Sequence, residues 1–311
     1  MYFIGVDVSK DSLDICIAPE DIVLKFPNTT KGIQSFLSVL KKYHNCLVVF
    51  EASGGYEKTL KLSLMKKEIN HRVLNPARVR EFARACGKLA KTDAVDAKIL
   101  ASFAQKIDHF PGHQSSQEEI LLKDLVHRRR QIIEEMVREK NRLDKSLHQL
   151  INQNIRSHLE ILQQYMKEID QLIGELIQKV ETLNHKAQII ASRPGIGMIT
   201  ASVLLANFPE LGNLKNKQIA ALAGLAPMNK DSGKTQGYRS ISGGRVSVRC
   251  SLYMATLVAV RHNTLIKSFY TRLREKGKPA KVALVACMRK MITILNQMVM
   301  HKNLWQEREK I

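Results

Sequence analysis

The chain has 311 residues, enough for two modest domains, and at 44% hydrophobic it can bury a substantial core. Its 49 Lys and Arg against 29 Asp and Glu give a formal net charge of +20, which points to a polyanion, nucleic acid ahead of an acidic protein or a membrane surface. The five scattered cysteines form no CxxC pair and argue against structural zinc; the acid in Met1–Asp7 interrupts any signal peptide, and no stretch approaches the ~18 apolar residues of a membrane span, so a cytoplasmic, nucleoid-associated protein is expected.

Residues Tyr2–Val8 read as a buried strand, and Leu13–Ala18 alternates apolar and polar as a second. Ile22–Phe26 is a candidate third, with Pro27-Asn28 as the turn. Gly32–Tyr43 has helical spacing at Ile33, Phe36, Leu37 and Leu40. Cys46–Phe50 is a short apolar run with Glu51 at its tip and Gly54-Gly55 just beyond; Tyr56–Lys67 reads as helix and His71–Leu74 as strand. Early strands followed by alternating helix and strand predict an α/β domain with a mixed sheet, ending near residue 112.

No proline occurs between Pro111 and Pro194. Leu159, Leu162, Met166, Ile169, Ile173, Leu176, Val180 and Leu183 repeat every 3.5 residues on average. An upstream helix carries Met136, Leu143, Leu147 and Leu150, with the break expected at Asn152–Ser157. This pattern over 113–188 fits a helical hairpin within one chain or a coiled coil between copies. From Ile189 onward, helix and loop are expected throughout. The turn Arg193-Pro194-Gly195-Ile196-Gly197 leads into Met198–Ala206, followed by a short helix at Ile219–Leu225, a Gly/Ser/basic loop at Asn229–Arg245, an apolar helix at Cys250–Val260, a basic stretch at Thr271–Lys281 and an amphipathic helix at Val282–Val299. From Met228 to the end there are 17 Lys and Arg against 4 Asp and Glu, a net +13, so the polyanion is expected against this part.

The acids that matter lie in the first part. Phosphodiester chemistry commonly uses two divalent ions, held by three or four converging carboxylates. Asp7 stands inside an apolar strand, where a charge is costly unless a partner offsets it. Glu51 closes a second apolar strand. Asp93 and Asp96, three apart, share one face of a helix. Taken singly, Asp7 also reads as a cap, Glu51 as the cap of the helix near Tyr56, and Asp93 as an ordinary N-cap.

Gly5-Val6-Asp7-Val8-Ser9-Lys10, Phe50-Glu51-Ala52-Ser53-Gly54 and Lys91-Thr92-Asp93-Ala94-Val95-Asp96-Ala97 resemble the motifs of DEDD-type insertion-sequence transposases, the Piv-related family that includes bridge-RNA-guided serine recombinases. The resemblance implies a ribonuclease-H-like (RuvC-like) α/β domain over 1–112 whose acids Asp7, Glu51, Asp93 and Asp96 bind Mg2+ or Mn2+. It continues into a mainly helical transposase domain over 189–311, where Pro194-Gly195-Ile196-Gly197 resembles a helix-hairpin-helix element. Backbone N–H groups there, at Gly195 and Gly197, suit a phosphate. The segments Ala223–Pro227, Asp231-Ser232-Gly233 and Gly243-Gly244-Arg245 follow in the family's order and imply Ser232 as the nucleophile, with Ser240 and Ser242 as neighbours of lower rank. Lys230, Lys234, Arg239, Arg245 and Arg249 are candidates for clamping phosphates, or a solvated basic face.

The resemblance implies a transposase that cuts and rejoins DNA at element ends and target. The acids would face Ser232 of another subunit in a homodimer or tetramer, and in some relatives a structured RNA chooses the sites. A nuclease that hydrolyses DNA junctions without a serine step is the enzyme alternative; a nucleic-acid-binding protein with a degenerate catalytic domain is the other.

Overall fold

Alternation of apolar residues with period two makes strands of the first segments, and the computed structural model places five of them in one mixed sheet. It describes residues 1–87, 93–107, 115–228, 237 and 239–306, which divide into two units, Met1–Gln114 and Ser115–Ile311.

In the first unit the strands are β1 (Tyr2–Val8), β2 (Ser12–Ala18), β3 (Ile22–Pro27), β4 (Cys46–Glu51) and β5 (His71–Leu74), in the order β3-β2-β1-β4-β5. The first three form an antiparallel meander; β4 and β5 add parallel to β1. Helix α1 (Thr30–Leu40) begins where the Thr29 side chain accepts a hydrogen bond from Gly32 N–H. Together with α2 (Lys58–Lys66) it covers the face made by Ile4, Val6, Val8, Leu13, Ile15, Val48 and Phe50. The opposite face, with Phe3, Leu47, Val49 and Leu74, takes α3 (Pro76–Ala85) and α4 (Asp93–Lys106). With both faces covered, β4 can only read as a continuous apolar run. Helix α4 lies directly on β1: a Cβ on Gly5 would stand 2.1 Å from the Ala97 carbonyl oxygen and 2.5 Å from the Ala101 nitrogen.

The second unit opens with α5 (Gln117–Leu143), started by a reciprocal box between Ser116 and Glu119. Helix α6 (Gln149–Lys179) returns antiparallel. Leu122 and Val126 share a core with Ile173 and Ile177, while Ile132 and Met136 meet Ile155, Leu159 and Leu162. The 3.5-residue stripe is therefore spent inside the chain, as a hairpin seam. Two details differ from the sequence expectation. The break falls before α6, around Asp144–His148, and the polar run Asn152–Ser157 stays helical because Ile155 buries against α5. Leu147 and Leu150 are not stripe members; they are 94% and 81% exposed at the hairpin tip.

Beyond α7 (Glu181–Ala191) come α8 (Met198–Asn207), α9 (Asn216–Leu222), α10 (Val246–His262), α11 (Thr264–Glu275) and α12 (Ala280–Met300). Among the described residues of this part, the strands are one short antiparallel ribbon, β6 (Pro227–Met228) with β7 (Ser240–Ile241), that sequence reading missed. It also corrects the expectation that no segment reaches membrane-span character. Helix α12 is long and apolar enough to cross a membrane by length and composition, but here it is the central core helix, burying Leu284, Cys287, Met291, Ile292 and Leu295. Burial pushes the Cys287 thiol up to about 11.

Candidate functional site

Asp7 follows Gly5 by two residues in β1 and therefore lies on the α4 face; Glu51 follows Val49 by two in β4 and shares that face. The two strands are parallel neighbours with Val6 opposite Phe50, so Asp7 and Glu51 come at adjacent positions near the same, C-terminal edge of the sheet. Crevices outside the carboxyl ends of parallel strands are where open α/β sheets carry ligands. Asp96 precedes Ala97, the α4 residue whose carbonyl sits over Gly5, so the first turn of α4 rides above β1. All three carboxylates are half-buried. Asp93 is the first residue of α4, one turn before Asp96, and its side chain lies outside the described residues. Among the described residues, no three His, Cys, Asp or Glu side chains already stand together as a metal site.

The structure adds residues that sequence reasoning missed. Asp14 in β2 pairs directly with Asp7 across the ladder and is only 6% exposed. Two like charges opposed on one face repel, and Asp14 is met by the Ser12 hydroxyl at 2.9 Å and Lys25 Nζ at 3.0 Å. The visible signal was an acid at an inward position of an otherwise apolar alternation. Asn28 ties the turns that follow the two acid-bearing strands: its Nδ2 donates to Ser9 O at 2.8 Å and to Tyr56 O at 3.2 Å. Glu57 organises the loop after Glu51, accepting from Ser53 N–H, Ser53 Oγ and Gly55 N–H at 2.8–3.1 Å. Its burial works to raise the carboxyl pKa, but the hydrogen bonds outweigh that and hold it below the usual range. Glu57, at the N-cap of α2, thus occupies the capping position considered for Glu51, which stays in β4.

In the second unit, Ile196 N–H donates to Arg193 O at 3.1 Å, and Pro194 and Gly195 (φ +90°) take the central positions of a type II-like turn that only glycine suits. Pro194, Gly195 and Gly197 are exposed, and α8 starts at Gly197 without a side-chain cap. Ser232, Lys230 and Lys234 lie outside the described residues. Arg239 is exposed. Arg245 grips Glu210 through both Nη atoms at 2.6 Å, donates to Asn207 O at 2.8 Å and stacks on Phe208. Arg249 donates to Gly243 O and Ala223 O, joining two turns so close that a Cβ on Gly244 would stand 2.2 Å from Gly224 N.

An α/β unit with acids on one sheet edge, followed by a basic helical unit, suits an enzyme that acts on DNA, and comparison with known families identifies a DNA-rearranging one. A transposase model of the IS110 DEDD type matches residues 4–152, and the model for transposases of the IS116/IS110/IS902 family matches residues 187–271. The chain belongs to the IS110/IS116-type transposases. It is 29% identical to the pilin gene-inverting proteins of Moraxella bovis and Moraxella lacunata over 306 residues, 94% of this chain and 94% of theirs. It is also similar to an uncharacterized protein of insertion element IS900 from Mycobacterium paratuberculosis, 31% identical over 134 residues, 41% of this chain and 33% of that one.

Proposed function

We propose that the protein moves or inverts a DNA segment by cutting and rejoining strands, with a divalent-metal carboxylate site at Asp7, Glu51, Asp93 and Asp96 and with Ser232 as nucleophile. The observation that carries the reading is the shared face: Asp7 and Glu51 sit on adjacent parallel strands beneath the helix that begins Asp93-Ala94-Val95-Asp96. The strand order β3-β2-β1-β4-β5, antiparallel then parallel, supports a ribonuclease-H-like assignment for residues 1–112. Residues 113–188 are taken as the hairpin spacer and 189–311 as the serine-bearing transposase domain.

The donor set is all carboxylate oxygen, which suits a hard ion such as Mg2+ or Mn2+ and would not select zinc. When bound, the ion would supply charge neutralisation at a phosphate and a lowered pKa for a coordinated oxygen. The chain's own groups do the rest. Asp14, with Lys25 and Ser12, fixes the charge balance beside Asp7; Asn28 and Glu57 hold the flanking turns. The Ser232 hydroxyl attacks the phosphorus. A Ser–O–P bond forms, the P–O3′ bond breaks, and the serine proton ends on the departing 3′ oxygen. The reverse attack by a 3′-hydroxyl restores the serine and joins strands without ATP. The net +13 over residues 228–311 supports nucleic acid as the bound polyanion. Cutting paired ends calls for more than one copy of the chain; a guide RNA would use the same basic surface.

The test is trapping on a nicked exchange substrate in magnesium, followed by denaturation and peptide mass. The wild-type protein should give a DNA adduct at Ser232. Ser232→Ala should bind DNA and give none, and Asp96→Ala should bind without cutting. Products made without an adduct would replace the serine step by hydrolysis. Near-normal cutting by Asp96→Ala would remove that acid from the site.

A further inference from the structure

Among the described residues, Arg193 is a buried cation with nothing to bond. It is 1% exposed, the largest fully buried side chain among the described residues, and among them Nε, Nη1 and Nη2 all lack a hydrogen-bond partner. Beside it stands a second orphan. The Trp305 ring lies 4.9 Å from the guanidinium carbon, and its Nε1 is also buried without a partner. A guanidinium and an indole have donors and no acceptors, so the cluster offers N–H groups from two side chains to no oxygen. Burial lowers the arginine to about 10, which leaves it charged at neutral pH. A buried charge without a partner is strongly unfavourable, and stacking on one indole face recovers only part of that loss.

The placement says what is missing. Arg193 opens the turn into α8, in which Pro194, Gly195 and Gly197 are exposed while Ile196 is buried in the core. Its cover is the segment after α12. Trp305 N–H donates to Ser192 Oγ at 2.8 Å, and Ser192 Oγ donates to Ile189 O at 2.7 Å. Residues 303–306 carry no helix or strand; this strap is held by that bond, by Asn303 N–H to Met298 O at 3.0 Å, and by the Trp305 ring, which packs on the edge of the core and stacks on Arg193. The missing partner must present several acceptor oxygens to a planar fork, which is what a phosphate group does.

We propose that Arg193 is a phosphate seat covered by Trp305 and opened when residues 303–306 lift away, and that its occupant is a backbone phosphate of nucleic acid running past the Pro194–Gly197 turn. This rests on the reading of the chain as a DNA-acting enzyme.

The experiment uses the full chain, a mixed-sequence duplex, anisotropy titrations across a range of salt, and thermal melting. Arg193→Met keeps the approximate volume and removes the unpaired charge. It should melt higher than the native protein and bind duplex with a log–log salt slope shallower by about 0.9, one phosphate fewer. Trp305→Ala should bind several-fold more tightly, and the double variant should lose that gain. Melting of Arg193→Met at or below the native temperature would mean that the arginine has a structural partner, and would overturn the proposal. An unchanged salt slope would overturn it too. Inorganic phosphate at millimolar level is the second probe. If it raises the native melting temperature, fails to do so in Arg193→Met, and does not compete with duplex, the occupant is free phosphate and the nucleic-acid assignment falls. In each of these failures, salt-dependent duplex binding and Ser232 adducts in the native protein would still stand, so the proposed function is judged separately.

Discussion

Gly5→Ala should unseat α4 from β1. The added Cβ would lie 2.1 Å from Ala97 O, 2.5 Å from Ala101 N and 2.9 Å from Leu100 Cβ. Two of these are backbone atoms that no rotamer change can move, so the helix must recede by roughly 1 Å to restore contact distance. Such a gap forfeits a quarter to a half of the dispersion at each contact, here along Ala97, Leu100, Ala101 and Ala104, all buried. Overpacking of this kind costs about 1–3 kcal/mol, and the backbone clash places it at the upper end. For a domain of this size, about 3 kcal/mol lowers the melting temperature by roughly 10 °C or more. Scanning calorimetry would show the first unit's transition move, while fluorescence of Trp305, the sole tryptophan, would follow the second unit unchanged. DNA cutting should fall with it, since α4 carries Asp96. Gly174→Ala is the matched control: it sits in α6 with nothing within 4 Å of an added Cβ, and should gain about 0.5–1 kcal/mol. A Gly5→Ala protein that melts within about 2 °C of the native one would refute the close seating of α4 on β1.

Three further outcomes follow from particular contacts. Glu57 has a folded pKa below its unfolded value, so its contribution is complete above the ordinary carboxylate range and is lost as pH falls through the lowered value; Glu57→Gln should flatten the acid limb of stability measured by urea titration at stepped pH. Ile173, 1% exposed in the hairpin seam, should cost about 2–5 kcal/mol on change to Ala, with no change of mass by light scattering, because the seam is internal; a drop in mass would return the stripe to a subunit interface. Arg245→Lys keeps the charge and loses the fork on Glu210, and should destabilise by about 1–3 kcal/mol in chemical denaturation.

The placement of Asp7 within β1 and of Glu51 at the end of β4 was legible, because an acid in or at the end of an apolar run is physically expensive and stands out. The start of α4 at Asp93, with Asp96 one turn on, was legible from spacing. Asn28 was not, since an amide in a Pro-Asn turn reads as turn chemistry until its two acceptors are seen. Helix α3 escaped because only Val79 of its residues is buried, so it carries almost no apolar period. Leu147 and Leu150 misled in the opposite sense: they have stripe spacing but end at a tip with nothing to pack on. Arg193 left no trace, as an arginine before Pro-Gly looks like any exposed turn residue. The ring stacked on it, Trp305, lies 112 positions away in the chain.

The α5–α6 hairpin behaves as a graduated ruler. Helix α6 has 31 residues, about 46 Å at 1.5 Å per residue. Two polar contacts pin the graduations: the Arg129–Asp170 ion pair at 2.5 Å, and His158 Nδ1 against the Glu139 carboxylate at 3.3 Å. Because the apolar repeat advances in sevens, excising one heptad from each arm between the pins would shorten the ruler by about 10 Å and keep both pins in phase. Excising four residues from each arm would turn the two helices by about 40° relative to that repeat and leave the polar pins facing apolar neighbours. Length in this hairpin is therefore quantised, and relatives that carry a longer or shorter one should differ from it by whole sevens.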